Sequence, residues 1–430
     1  MPAEKNVIHK LRLLLLILLE VTHLAGWMPV VNICMLLLLV SVFLTPRVGE
    51  RALKMVRNPF FYLAITPFLM YAISLLYTYD LTEGIRNVTT KLPLLLFPVN
   101  VAMISDEYRK EELWIIGRVF IWSVALMGIT GFIFQYIQYL ETADSGFLYN
   151  DHLGSKFGKQ AVYFAWYVNS ALCILLFGWK AILAHRYRLL AGSMLLLLLM
   201  TTQVLLASRT SLAIMILIIA FYGIHRIAAG FSRTRFTVAV VLVLGSLTLA
   251  VMAFPKVLNR FKNIASLSYR MDNPNPINHF NGTYSDQNWD GLTARLAIWE
   301  CSRSAIGKHF FAGCGVGDVP HELRVVYREK HFILGQKEDF NTHNQFIDAW
   351  LTAGLAGFLI FTLAFVLSVI KAFRTGNTII GFLLIILVIS MLTENLLNRN
   401  QGVVMAGLLI AGIVLLAARS FHPAPDQGNL

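Results

Sequence analysis

Charged residues are scarce in this chain of 430 amino acids: Asp, Glu, Lys and Arg make up 14% of it, and hydrophobic residues make up 57%. A soluble protein carries about 25% charged residues, because it must cover its surface with solvated groups. The scarcity excludes a soluble enzyme, and the apolar content excludes a disordered chain. A mean hydropathy of +0.64 indicates instead a protein that is surrounded mostly by lipid.

Cysteine is also scarce. Four cysteines are too few for a disulfide scaffold, and none has the spacing of a zinc ligand. Cys34 and Cys173 lie in apolar runs and are expected to be buried thiols. Cys301 and Cys314 lie in the one long polar segment, where they could pair in an oxidising compartment. The sequence leaves their pairing open, since it does not give the Cα distance that a disulfide requires.

Signatures of nucleotide, metal and transport chemistry are weak or missing. The run Gly313-Cys-Gly-Val-Gly317 has no strand before it and no Lys-Ser/Thr after it, which favours a tight turn following a helix. Asp286 and Asp290 are four residues apart, but nothing else ties them to a metal. Ion-coupled transporters use carboxylates inside the membrane, and such carboxylates are sparse here: Glu20 and Glu394. We therefore expect no metal and no cofactor.

Apolar runs of spanning length recur along the chain and predict twelve transmembrane helices, at 11–26, 29–45, 59–78, 91–104, 114–138, 160–179, 189–207, 210–225, 236–254, 346–370, 378–396 and 402–418. Lys5, Lys10 and Arg12 before the first run imitate a secretory signal, but Glu20 interrupts that run and no cleavage site follows, so we expect a retained span. The predicted fold is an all-α polytopic membrane protein. Its parts are helices 1–9 in residues 1–254, a large, mainly helical loop in 255–345, helices 10–12 in 346–418, and a tail, 419–430.

The formal net charge of +12 predicts how the protein is oriented in the membrane and does not indicate a nucleic-acid partner. Excess Lys and Arg mark the cytoplasmic loops of polytopic membrane proteins. One set of turns holds Arg47, Arg51, Lys54, Arg57, Arg109, Lys110, Lys180, Arg186, Arg188, Arg226, Arg233, Arg235, Lys371 and Arg374. The short opposite loops hold little beyond Arg86, Lys156, Lys159, Arg209 and Arg399. This bias predicts cytoplasmic termini and places the loop 255–345 on the outer face.

The long loop contains one clear helical pattern. Residues 290–308 read as a helix that Asp290 or Thr293 can cap. Within it, Arg295, Trp299 and Arg303 recur at i, i+4 and i+8, so two guanidinium groups would share one face around an indole. The alternative is a solvated helix face whose arginines pair with nearby carboxylates.

Arg209 and His343 are the candidate site residues outside that helix. Arg209 lies at the outer boundary between two apolar runs, where an arginine either binds a ligand or extends its head group to the membrane surface. His343 directly precedes a long span that Asn341 or Thr342 can cap, which would place His343 in the first helical turn. The helix dipole would then favour neutral imidazole, able to accept a proton, although a boundary histidine without function is the alternative.

The motif that begins at His343 carries a family resemblance. His343-Asn344, nine residues and Gly354-Leu-Ala-Gly357 resemble the H-[NSQ]-x9-G-x-x-G pattern of the bacterial O-antigen ligase family. The two glycines also have a spacing that allows close helix contact. With Ser208-Arg209, with Arg295-Leu-Ala-Ile-Trp299 ahead of the glycine run, and with the span layout, the chain is similar to the ligase/polymerase superfamily over most of its length. The arginine contexts are shared with O-antigen polymerases and protein O-oligosaccharyltransferases.

The resemblance implies glycosyl transfer at the periplasmic face of the bacterial inner membrane. An O-antigen glycan on undecaprenyl diphosphate would move to a sugar hydroxyl of lipid A–core. Arg209 and Arg295 would match the essential arginines and bind the diphosphate, and His343 would match the essential histidine and act as general base. We add Arg303, Arg86, Lys91 and Asn344 as weaker substrate-binding candidates.

Two other functions remain as alternatives at this point. An O-antigen polymerase would use the same donor with a growing glycan as acceptor, although the His-Asn pattern favours a ligase. A glycolipid transporter or flippase belongs to another class, and the few buried charges and the loop rich in Arg and His oppose it.

Overall fold

The computed structural model of the protein describes residues 2–104, 107–183, 188–228, 230, 245, 269–277 and 289–420. The predicted ninth span, 236–254, lies outside these residues except for Gly245, as do Asp286 and the end of the tail. Within the described ranges the chain is helical, and its one β-bridge joins Ile277 to Trp289.

Eighteen α-helices are described. They are α1 Pro2–Leu24, α2 Met28–Phe43, α3 Val48–Val56, α4 Pro59–Ser74, α5 Leu81–Thr90, α6 Pro93–Ile104, α7 Lys110–Thr142, α8 Asp151–Ser155, α9 Ala161–Phe177, α10 Trp179–Ile182, α11 Arg188–Leu205, α12 Arg209–Ala228, α13 Gly291–Lys308, α14 Val319–Glu329, α15 Ile333–Glu338, α16 Gln345–Arg374, α17 Thr378–Met391 and α18 Asn400–Ser420. Two 3-10 turns lie at Ser145–Leu148 and Leu396–Asn398.

Four helical stretches are long and apolar enough to cross a membrane: α5 with α6, then α7, α12 and α16. The pair α2 and α3, bent by 109°, would make a fifth. Shorter apolar helices, among them α4, α9, α11 and α17, accompany these spans. The protein is therefore a helical integral membrane protein, with four or five helices in the described residues that meet the length and composition of a full span.

Helix α9 lies at the centre of the bundle. Every residue from Tyr163 to Val168 has no exposed surface, and α9 contacts α7, α11, α12 and α17. A helix that is apolar on all sides is stable only when it is surrounded in this way. This rigid centre fixes where the neighbouring helices end.

The two ends of the bundle differ in chemistry. At one end, which we call the basic end, His9, Arg12, Arg51 and Arg109 pair with Glu107 and Glu112. We call the other end the loop end. Three hydrogen bonds link neighbouring segments there: Lys159 Nζ donates to His23 O at 2.7 Å, Asn150 N to Leu205 O at 3.0 Å, and Tyr77 Oη to Thr352 O at 3.1 Å. Residues 289–342 pack on the loop end.

The segment 289–342 has a small core of its own, in which Trp289, Cys301, Tyr327 and Phe332 are fully or almost fully buried. The helix predicted at 290–308 is confirmed, because α13 spans Gly291–Lys308 and Asp290 caps it. Cys301 is a buried free thiol, and Cys314 is a free thiol whose Sγ lies 3.2 Å from Leu351 O. The segment is thus held by packing, with no bond between these two cysteines.

Helix α16 is broken inside the predicted span. Gly354 has φ +64° and ψ −166°, a conformation that glycine adopts far more readily than other residues. At the break, Cys314 N and Gly315 N donate to Leu351 O and Thr352 O at 2.7 and 3.1 Å, and Leu355 N donates to Phe310 O at 2.9 Å. The backbone of the loop therefore replaces the missing helical hydrogen bonds.

One sequence interpretation changes at this break. The spacing of Gly354 predicts close contact between helices; instead, a Cβ there would clash with Phe311 O, so glycine admits the loop backbone. Gly313 and Gly315 lie in the turns that follow α13, as predicted; both have positive φ, and they pack against Thr352 and Thr78. A Cβ built on Gly357 would lie 3.5 Å from Met70 of α4, which is an ordinary van der Waals contact between the two helices.

Candidate active site

His343 lies just outside α16. Asn344 is the N-cap, since its Oδ1 accepts hydrogen bonds from Phe346 N at 2.9 Å and Ile347 N at 3.1 Å. The expectation that Asn341 or Thr342 caps this helix was therefore wrong, and so was the placement of His343 in the first turn. Three capping residues follow one another here, and the polar side chain nearest the helix takes the role.

The backbone of His343 is strained. Its φ of +42° belongs to the left-handed region, which costs a residue other than glycine about 1–3 kcal/mol and persists only where the surroundings enforce it. His343 N donates to Asn341 Oδ1 at 2.9 Å, and Thr342 Oγ1 donates to Asn395 Oδ1 at 2.9 Å. Such outliers concentrate at functional sites, so the strain supports a role for the imidazole.

Glu394 holds the imidazole from the other side. The Nδ1 of His343 donates to Glu394 Oε2 at 3.1 Å, which leaves Nε2 without a hydrogen bond to any described residue. A carboxylate on Nδ1 fixes the tautomer in which Nε2 can accept a proton. The side chain of His343 is 24% exposed, so a substrate can reach it.

Arg295 completes this cluster. It donates from Nε to Thr393 O at 2.9 Å and from Nη1 to Gly291 O at 3.0 Å, and its Nη2 lies 3.5 Å from the same Glu394 Oε2. Glu394 is 8% exposed and lies between His343 Nδ1 and the Arg295 guanidinium, both of which favour its charged form. Glu394 is therefore an ionised group between an imidazole and a guanidinium.

Arg209 is tied to the same helix as Arg295. It is the first residue of α12, after a three-residue connection from α11, and its Nη2 donates to Asp290 Oδ2 at 2.8 Å. Burial alone would raise the pKa of Asp290, but the backbone N–H of Thr293 and the Arg209 side chain bring that pKa below its ordinary value. The Nε of Arg209 is buried and has no partner among the described residues, so one donor remains for a ligand.

Arg209 and Arg295 line one cavity of about 120 Å³ together with Trp299. We call it the arginine cavity; its other walls include Asn150, Ser208, Ser390 and Thr393. His343 is not among the lining residues but joins the cavity through Glu394, which follows Thr393 in the chain. The structure thus brings the three residues predicted as catalytic to one place.

The weaker candidates lie elsewhere. Arg303 is exposed on α13 and does not line the arginine cavity, although Trp299 one turn before it does. Arg86 lines a different cavity. Lys91 is fully buried, donates to Asn398 Oδ1 at 2.9 Å and lies 4.3 Å from the centre of the Tyr71 ring. Asn344 is occupied as a cap, and its Nδ2 donates to Leu392 O at 2.9 Å.

Asp348 is the centre of a buried network beneath His343. Its carboxylate accepts from Tyr71 Oη at 2.8 Å and from the side-chain amides of Asn395 and Asn398, both at 3.1 Å. Gln345 reinforces it by accepting from Leu397 N at 2.8 Å. The network attaches residues 395–398 to the start of α16 and so fixes the position of Glu394.

Neither carboxylate is predicted as a site component from the sequence. Glu394 stands out there only as a rare charge near a membrane, and Asp348 falls inside the predicted span 346–370. The available signal was their position: both lie at the ends of spans that the predicted topology places on the same side as His343 and Arg209. A charged group at such a depth is costly unless it serves a partner.

Across the described ranges, no group of three His, Cys, Asp or Glu side chains is close enough to hold a metal ion. The chemistry available at the site is that of two guanidinium groups, one imidazole and one ionised carboxylate.

Comparison with known proteins agrees with the resemblance that the motif carries. Residues 193–362 match the family model described as O-antigen ligase, and this range contains Arg209, Arg295 and His343. No curated protein matches the chain. The matched family implies a glycosyltransferase-like enzyme of O-antigen processing. The part of the chain that holds the candidate site, residues 193–362, is therefore similar to the O-antigen ligase family.

Proposed function

We propose that the protein is an O-antigen ligase of lipopolysaccharide biosynthesis, which transfers O-antigen polysaccharide from undecaprenyl diphosphate to lipid A–core without a metal or cofactor. One observation carries the proposal: two arginines line a single cavity, and Glu394 connects one of them to His343. Anion-binding groups therefore lie next to a group that can accept a proton. Glycosyl transfer from a diphosphate requires that pairing.

The proposed topology has twelve spans in the bacterial inner membrane, with the loop end in the periplasm and the basic end, with both termini, in the cytoplasm. Residues 1–254 and 346–418 would form the membrane part, 255–345 the periplasmic loop and 419–430 the cytoplasmic tail. The positive-inside rule supports this orientation, because Arg12, Arg51 and Arg109 gather at the basic end.

In the proposed reaction, Arg209 and Arg295 bind the diphosphate of the donor. The bond between the anomeric carbon and the phosphate oxygen breaks, and negative charge develops on the leaving diphosphate. Guanidinium groups stabilise that charge through paired hydrogen bonds, which makes a metal unnecessary.

His343 acts on the acceptor. A sugar hydroxyl of lipid A–core attacks the anomeric carbon, a new carbon–oxygen bond forms, and the hydroxyl proton moves to Nε2 of His343. Glu394, which accepts the Nδ1 hydrogen bond, stabilises the imidazolium that results. The proton leaves to solvent after the product departs, and the site returns to its starting state.

An O-antigen polymerase would use the same arginines and the same histidine, since only the acceptor differs. The His343-Asn344 pattern favours the ligase. A transporter is less well supported, because four side chains donate to the buried carboxylate of Asp348 and leave it no free site for an ion.

The lipopolysaccharide of a deletion strain separates these functions on a gel. A ligase deletion leaves complete lipid A–core and unattached polymer on its lipid carrier, and wild-type protein restores the ladder while Arg295→Ala does not. Core that carries a single repeat unit would indicate a polymerase. Donor retained on the cytoplasmic face would indicate a flippase.

A further inference from the structure

A second and larger cavity lies at the loop end. Its volume is about 360 Å³, against about 120 Å³ for the arginine cavity. Helix α5, helix α14 and residues 339–341 form its walls, so we call it the α5 cavity. Arg86, which the sequence suggested for the diphosphate, lines this cavity and not the arginine cavity.

The α5 cavity is one residue layer away from His343. Two of its lining residues, Phe340 and Asn341, contact the histidine directly: the Phe340 ring centre is 5.8 Å from that of the imidazole, and Asn341 Oδ1 accepts from His343 N at 2.9 Å. His343 is therefore linked to both cavities, to one through Glu394 and to the other through residues 340 and 341.

The polar groups of the α5 cavity suit the hydroxyls of a glycan. Carboxylates and side-chain amides line it, and sugar hydroxyls both donate to and accept from such groups. Its ion pairs are loose, since Arg86 lies 3.5 Å from Glu83 and Arg324 lies 3.6 Å from Asp339, with both arginines at least half exposed. Exposed pairs of this kind contribute little to stability, so their members can turn to a ligand at low cost.

The wall on the side of α5 is held in place. Asp318, at the start of α14, accepts from Thr78 Oγ1 at 3.0 Å and from Asp80 N at 3.0 Å, and Gly317 N donates to Thr78 Oγ1 at 2.9 Å. The turn before α5 is thereby attached to α14, and the cavity exists before a ligand enters.

The outer face of the same wall is apolar. Leu76 and Tyr79 are 86% and 95% exposed, and Leu81 and Ile85 on α5 are 55% and 57% exposed. Glu83 and Arg86 point into the cavity from the helix that presents Leu81 and Ile85 to its surroundings. A polar pocket beside an exposed apolar helix face fits a ligand that has a glycan head and a lipid tail.

We propose that the α5 cavity binds the glycan head group of the acceptor, lipid A–core, while the acceptor's acyl chains lie against Leu81 and Ile85. The inference rests on the proposed function. Under it, donor and acceptor occupy separate cavities, and the acceptor hydroxyl reaches His343 from the side of Phe340 and Asn341.

Binding of purified lipid A–core to the full-length protein in lipid nanodiscs tests the proposal. Glu83→Ala and Arg324→Ala should each weaken that binding about tenfold, which corresponds to 1.4 kcal/mol, and should leave the affinity for undecaprenyl-diphosphate-linked glycan within twofold. Lys308→Ala is the matched control, because it removes an exposed ion pair with Glu329 outside the cavity. Core oligosaccharide without lipid should bind more weakly than lipid A–core, and Ile85→Ser should reduce that difference.

The proposal is overturned if wild-type protein fails to bind lipid A–core, or if both cavity variants bind it as tightly as Lys308→Ala does. A loss of affinity for the undecaprenyl-linked glycan instead would assign the cavity to the donor and also overturn it. If cavity-dependent binding of lipid A–core occurs but no variant or wild-type protein transfers glycan, the acceptor site stands and the proposed ligase activity fails.

Discussion

The two ends of the bundle both hold arginines paired with carboxylates, but these arginines differ in their exposure and in whether they line a cavity. At the basic end, Arg12 is 1% exposed and its guanidinium is shared among Ser41 Oγ, Ser41 O and Glu107. At the loop end, Arg209 and Arg295 are 23% and 26% exposed and line one cavity. A fully buried arginine whose donors are all used supports structure, whereas a partly exposed arginine that lines a cavity can bind an anion.

The largest expected effect follows from this difference. Arg209→Ala and Arg295→Ala should abolish glycan transfer while the protein still inserts and accumulates. Lysine at either position should restore little, because it keeps the charge but loses the planar pair of donors. Transfer is measured by the lipopolysaccharide ladder, with Arg303→Ala as an exposed arginine on the same helix that should stay within about twofold of wild type. Near-normal transfer in the alanine variants would show that these arginines do not hold the donor.

At the basic end, the same substitution should act on stability. Arg12→Ala leaves Glu107 paired with Arg51 and removes the buried guanidinium that donates to Ser41, a loss that typically costs about 1–3 kcal/mol. We expect a lower thermal midpoint in detergent and less protein in the membrane, with transfer per folded molecule unchanged. A stable Arg12→Ala protein with reduced turnover would erase the distinction between the two ends.

Glu394→Gln tests how far His343 depends on its carboxylate. An amide can still accept the Nδ1 hydrogen bond but no longer stabilises the imidazolium, so we expect transfer to fall about 10- to 100-fold with donor affinity retained. Single-turnover measurements at saturating donor give the rate. An unchanged rate would reduce Glu394 to a structural support for Arg295.

The smallest expected effect is a pH dependence of stability. The pKa of Asp290 is held below its ordinary value of 3.8 in the folded protein, so its pair with Arg209 stabilises the fold above the unfolded pKa and is lost as the pH falls through the folded pKa. The difference in thermal midpoint between wild type and Asp290→Asn should therefore be constant from neutral to mildly acidic pH and shrink below about pH 4. A difference that grows toward acid would contradict the pairing.

Local patterns in the sequence predicted part of this arrangement. Apolar runs located the helices, and the capping signal at Asp290 located α13 within a residue. Three candidate site residues could be identified from the residues next to them in the sequence: Arg209, Arg295 and His343. In each case the physical cause acts over a few neighbouring residues, so the sequence alone exposes it.

The missed features depend on contacts across the chain. Glu394 and His343 are 51 positions apart in the chain and share a hydrogen bond, and Tyr71 donates to Asp348, which is 277 positions away. The break at Gly354 exists because the loop backbone near Phe311 approaches it, and the glycine spacing alone fitted helix contact equally well. The N-cap was misassigned because Asn341, Thr342 and Asn344 all suit that position, and tertiary packing decides among them.

The most direct test of the account measures donor binding and single-turnover rate on one variant, His343→Ala. If His343 is the base and the arginines hold the diphosphate, the variant should bind undecaprenyl-diphosphate-linked glycan as wild type does and should lose about two to four orders of magnitude in rate. A variant that binds the donor weakly but turns over normally at saturation would contradict the account and indicate that His343 binds the diphosphate.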